Sequence, residues 1–147
     1  MIPIKIKLSD QRCLPVRAHP TDAGCDLVSM ETKIIYPGDQ HLLDTGFAIK
    51  IPANFVGLVY NRSSQGKLRV QIANGTGIID SDYRGNIKVL LVNNGLDPYE
   101  VHAFATRIAQ LVITPILIPR FDQFDPNVMG LWDDTARSTG GFGSTGV

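Results

Sequence analysis

AFATRIAQLVITP, residues 103–115, can be read as an amphipathic helix or as the approach to a long strand, and the choice sets the fold class. Its β-branched Ile108, Val112, Ile113 and Thr114 lose rotamer freedom in a helix and pack well on a pleated surface. Pro115 also steers Thr114 away from helical backbone angles. The stretch is therefore read as a strand over Ile108–Ile118, and the rest of the chain agrees with it. Apolar residues alternate at Ile2, Ile4, Ile6 and Leu8, and again at Phe47, Ile49 and Ile51, the period of half-buried strands. Further β-rich runs cover Phe55–Tyr60, Leu68–Ala73 and Ile87–Val92, with Pro37-Gly38-Asp39, Asn74-Gly75 and Asn94-Gly95 as turns between runs. Helical periodicity is scarce, so many short strands argue for an all-β sandwich, jelly roll or barrel.

At 147 residues the chain suits one domain, enough to bury roughly two thirds of its unfolded surface. The 14 Lys and Arg balance the 14 Asp and Glu, so there is no excess positive charge to hold nucleic acid by counterion release. MIPIKIKLSD has no continuous apolar core of a signal peptide, and no 18-residue apolar run spans a membrane. The expectation is a soluble, cytoplasmic or otherwise intracellular protein without a nucleic-acid or membrane partner. Cys13 and Cys25 read as free thiols. His19, His41 and His102 lack neighbours at metal-ligand spacing. The sequence divides into a β domain at 1–120, a polar connector at 121–136 and a glycine-rich tail at 137–147.

That tail, RSTGGFGSTGV, contains G-x-G-x-x-G at residues 141–146. A dinucleotide fingerprint needs a helix after it, and a Walker loop needs a Lys where Val147 stands. Composition alone makes the tail a disordered terminus. Four other segments share its chemistry: DAGCDL at 22–27, RSS at 62–64, GIIDSDYRG at 77–85 and RIAQL at 107–111. Each sets a polar or charged side chain beside a glycine or a strand end. Taken in this order with the tail, they resemble the five motifs of the trimeric dUTP pyrophosphatases (dUTPases), over about residues 20–146.

The resemblance implies a jelly-roll-like β-barrel, a homotrimer with shared active sites, and Mg2+-dependent hydrolysis of dUTP to dUMP and pyrophosphate. Such an activity limits uracil in DNA and supplies dUMP for dTMP synthesis. Asp80 matches the base that activates water for attack on the α-phosphorus, and Asp82 is assigned to holding the turn. Arg62, Ser63, Ser64 and Gln110 match phosphate donors. No direct metal ligand is implied, because Mg2+ rides on the triphosphate and water; Asp26 stands where it would touch that water shell or a phosphate-binding Arg. Tyr83 matches the ring that packs on deoxyribose and leaves no room for a 2′-hydroxyl. Asn74, with the backbone of Gly77 in hairpin register with Ile87, matches the uracil pocket, whose unpaired polar groups would penalise cytosine. In the tail, Phe142 would stack on uracil, Arg137 would pair with the γ-phosphate, and Ser144 and Thr145 would add donors. The glycines keep the segment mobile until substrate orders it.

Ser64 and Gln65 depart from the family's Gly-Leu and are expected near the phosphates. Asn61 replaces Pro or Gly, and Ala105-Thr106 replaces Gly-Asp. Gln123–Asp134, with Met129 and Trp132, has no counterpart and reads as packing on a neighbouring subunit. Among rivals, dCTP deaminase shares the fold but needs a Glu in the stretch that here reads Lys88-Val89-Leu90-Leu91. The residues leave room for an unknown regulatory protein as a further partner.

Overall fold

The computed structural model describes residues 3–125 together with 127, 135, 138 and 140. The strands are β1 (Lys5–Leu8), β2 (Cys25–Val28), β3 (Lys33–Ile35), β4 (Gln40–Asp44), β5 (Phe47–Lys50), β6 (Phe55–Tyr60), β7 (Val70–Ile72), β8 (Gly77–Ile79), β9 (Lys88–Asn93), β10 (Tyr99–Val101) and β11 (Arg107–Pro115). One short helix, α1 (Ser63–Lys67), and a 3-10 turn at Gln11–Cys13 complete the described elements. The ambiguous segment is thus a strand, and at nine residues it is the longest among those described. Ile2, at the head of the first alternating run, lies outside the described residues.

All ladders are antiparallel. They form sheets in the order β2-β11-β6-β8, β4-β9-β7, β1-β5 and β10-β3. None of these sheets closes into a barrel among the described residues. Chain contacts divide the molecule into two compact units, Met1–Leu117 and Ile118–Val147. In the second, Arg120 pairs with Asp122 at 2.9 Å.

The core of the first unit draws on every sheet. Leu27, Val59, Ile108 and Leu111 belong to the four-stranded sheet, Leu43, Val70, Val89 and Leu91 to the three-stranded one, and Phe47, Ile35 and Val101 to the two ribbons. Each such side chain, fully buried, contributes about 1.5–3 kcal/mol relative to exposure. Alternation explains β9, where Val89, Leu91 and Asn93 face inward. It fails in β11, where Ile108 and Ala109 are both buried. The pairing with β2 shifts register between Arg107 and Ala109, and such a bulge lets consecutive residues face one side.

Buried polar side chains are satisfied. Asn93 Nδ2 donates to the carbonyls of Ile35 and Asp97, both at 2.8 Å, while its Oδ1 accepts from Gly95 N–H. Asn61 joins two sheets: Nδ2 donates to Val70 O at 3.1 Å and Oδ1 accepts from Ile72 N–H at 2.7 Å. Its amide copies a peptide group, giving β7 the partner that a Pro or Gly could not supply. Gly46 lies at φ +65°, and a Cβ there would run into Met30 and Cys13, so this position in the turn between β4 and β5 admits no side chain.

Candidate active site

The site is organised around β11. Asp26 on β2 stands directly opposite Gln110, and Tyr60, at the end of β6, faces Gln110 from the other side. The chain continues from Tyr60 through Asn61 to Arg62, which caps α1. Three elements thus deliver Asp26, Gln110 and Arg62 to one edge of the sheet. Val16, paired with the Asp26 backbone on both its N–H and C=O, fixes β2 from outside.

Asp26 holds two arginines. Its Oδ1 accepts from Arg62 Nε at 2.7 Å; its Oδ2 accepts from Arg62 Nη2 at 3.3 Å and from Arg107 Nη1 at 3.0 Å. The Asp26 side chain is 19% exposed, against 26% for Arg62 and 51% for Arg107, so the pairing sits where water screens it only in part. Asp22 lines the cleft as well, so its two carboxylates balance the two guanidiniums, and what the cleft offers an anion is directed donors, not net charge. Arg62 Nη1 also donates to Ser64 Oγ at 3.3 Å. Of the five N–H donors of its guanidinium, two stay free for a ligand. Gln110 Nε2 donates to Asn61 O at 2.8 Å. A Cβ on Gly24 would come 2.7 Å from Gln110 Oε1, so glycine there leaves the amide its place.

These groups line an open cleft of about 480 Å3 whose wall includes Gly24, Asp26, Arg62, Ser63, Ser64, Arg107 and Gln110. The cleft gathers four of the phosphate donors expected from the sequence, Arg62, Ser63, Ser64 and Gln110, together with Asp26. It adds Arg107, whose place three residues before Gln110 was its only sequence signal.

Asp80, Tyr83, Asn74 and Gly77 are not part of its lining. They lie on the 73–87 segment that links β7, β8 and β9. Asp80 follows β8 and is exposed, and its carboxylate has no hydrogen-bond partner among the described residues. The turn after it is held by Tyr83 N–H on Asp80 O, by Arg84 Nη1 on the carbonyls of Ser81 and Tyr83, and by Tyr83 Oη on Asn86 O at 2.9 Å. Asp82 is one of the two central residues of that turn, and it also lines a separate cavity with Lys5, Lys50 and Arg84. Tyr83 is folded back over Gly85, where a Cβ would lie 2.5 Å from its Oη. Asn74 is exposed in the turn at Gly75, which has φ +76°.

Two expectations change. Gly77 does not pair with Ile87: β8 joins β6, with Gly77 opposite Val59, while β9 joins β4 and β7. Ile87 is 0% exposed, its N–H donates to Phe47 O, and its carbonyl accepts from Thr45 N–H and Oγ1, so it presents no group to a nucleotide. Gln65 likewise points away from the cleft and is buried at 2% exposure. Arg137, Phe142, Ser144 and Thr145, and Met129 and Trp132 of the connector, lie outside the described residues.

No group of three or more His, Cys, Asp and Glu among the described residues could hold a metal ion. Burial pushes the Cys13 thiol up, which keeps it protonated and unreactive. No described helix is long and apolar enough to cross a membrane.

The sequence matches the dUTPase family profile over residues 10–146. It is 44% identical over 145 residues to the deoxyuridine 5′-triphosphate nucleotidohydrolase of Corynebacterium jeikeium, covering 97% of this chain and 91% of that one. The dUTPase of Staphylococcus bacteriophage 80alpha, solved with dUpNHpp, superposes with a TM-score of 0.86 at 31% identity, and all of both chains is covered. A dUTPase from phage phi11 of S. aureus, solved to show coordination of a structural Mg(II) ion, gives a TM-score of 0.77 at 28% identity over 84% of this chain and 97% of that one.

Proposed function

This chain belongs to the dUTPase family, and from that premise we infer how its residues carry out the hydrolysis of dUTP to dUMP. The observation that carries the reading is the cleft at the edge of β11, where Asp26 orients Arg62 and Arg107 beside Ser63, Ser64 and Gln110. A cleft that aims free guanidinium and hydroxyl donors inward suits a triphosphate and favours the charge that builds as the leaving group departs.

In the reaction the bond from the α-phosphorus to the bridging oxygen breaks, water supplies the new oxygen, and pyrophosphate leaves. Asp80 takes the proton of the attacking water; its exposed carboxylate, without a hydrogen-bond partner among the described residues, is suited to that task. Tyr83 covers the deoxyribose, and Asn74 with the Gly77 backbone holds the uracil. Arg137, Phe142, Ser144 and Thr145 close over the nucleotide.

Mg2+ fits this donor set as an ion carried in on the triphosphate. Oδ1 of Asp26 accepts a single bond and keeps capacity for an ion-bound water, in line with the few protein ligands that Mg2+ takes. Bound there, the ion would neutralise phosphate charge.

Asp80 and Tyr83 do not line the cleft that holds Arg62 and Gln110. That separation supports a jelly-roll homotrimer in which one subunit's Asp80 segment meets another subunit's cleft.

The test is pyrophosphate release with Mg2+ from dUTP, dTTP, dCTP and UTP, for the full chain and for a chain ending at Ala136. Release from dUTP alone, lost on truncation, is expected; equal release from all four would remove the uracil and deoxyribose assignments.

A further inference from the structure

We propose that Gln65 is the positioning residue of the phosphate cleft, an assignment that rests on the dUTP-hydrolysing reading above. Gln65 is 2% exposed, and an amide so buried must find partners for both its ends. Its Oε1 accepts from Arg62 N–H at 3.1 Å, and its Nε2 donates to Ile108 O at 2.9 Å.

Those two partners matter because of where they lie. Arg62 N–H is at the start of α1, so the first bond fixes the backbone from which the guanidinium springs. Ile108 is the extra residue of the bulge: it has no Cα partner in the ladder with β2, and the ladder with β6 begins only at Gln110. Bulges re-aim neighbouring side chains, and here the neighbours are Arg107 and Gln110. One buried amide thus ties the backbone of Arg62 to the stretch of β11 that carries the other two cleft donors.

The consequence is a fixed spacing between a guanidinium on α1 and donors on β11, which together must grip one triphosphate. The uracil and deoxyribose groups on the 73–87 segment make no bond to Gln65. Loss of Gln65 should therefore weaken recognition of the phosphate chain and spare recognition of the nucleoside.

The experiment compares Gln65→Leu and Gln65→Met with the parent protein in dUTP turnover, in affinity for dUpNHpp and dUMP, and in Tm. Parent turnover is measured first, and a parent that does not hydrolyse dUTP sinks the enzyme reading itself. The expected result is kcat/KM for dUTP lowered roughly 10- to 100-fold in both variants, as for a small misplacement of binding groups. Affinity for dUpNHpp should fall with it and affinity for dUMP should hold. Unchanged turnover overturns the assignment. So does an equal loss of dUpNHpp and dUMP binding, or failure of both variants to fold, since either makes Gln65 a residue of the fold and not of the cleft.

Discussion

At the scale of single residues, the proposed site divides its labour between two aspartates. Asp26 accepts three hydrogen bonds from two arginines, which makes it an orienting group. Asp80 has no side-chain partner among the described residues, which leaves it available to water. Asp80→Asn is nearly isosteric, so turnover of dUTP should fall by orders of magnitude while dUpNHpp still binds; rapid steady-state turnover by the variant would take Asp80 out of the base role. Both aspartates stand in short motifs, so the sequence displayed them. It could not display their partners: Arg62 and Arg107 are 36 and 81 positions from Asp26, and only folding makes them neighbours. Gln65 was misplaced for a similar reason, since a polar residue beside RSS looks like another phosphate donor until burial shows which way it points.

At the scale of elements, β1 and β5 were legible because their apolar residues alternate, and β9 and β11 because their β-branched content is high. The short β2, β3, β4, β8 and β10, at three to five residues each, carry too little pattern to be seen alone. Helix α1, five residues of SSQGK, has no apolar periodicity, and the bulge at Ile108 depends on a pairing partner far away in sequence. Two changes probe how these elements build the cleft. Gly24→Ala places a methyl group against Gln110 Oε1; kcat/KM for dUTP should fall roughly tenfold or more through the displaced amide, with Tm nearly unchanged. Asn61→Ala strips Val70 O and Ile72 N–H of their partner and should lower stability by about 1–3 kcal/mol, read as a lower Tm. A Gly24→Ala protein of full activity, or an Asn61→Ala protein of parental Tm, would show that these links do not hold the cleft and the sheets.

At the scale of the whole molecule, four of the five motifs fall into two groups on one chain, the fifth being the tail. The cleft at β11 collects motifs from residues 22–27, 62–64 and 107–111, and the 73–87 segment carries Asp80 and Tyr83 away from its lining. In the shared-site reading proposed above, a second subunit brings its own segment to the cleft and completes the site. Neither Asp80→Asn nor Arg62→Ala should hydrolyse dUTP when prepared alone. The deciding measurement is dUTP turnover after the two inactive proteins are denatured together in equal amounts and refolded. Because a mixed trimer can pair an intact Asp80 from one subunit with an intact Arg62 from another, about a quarter of the parental activity should return. A mixture as inactive as its components would place Asp80 and Arg62 in the site of the same subunit and contradict the shared-site account.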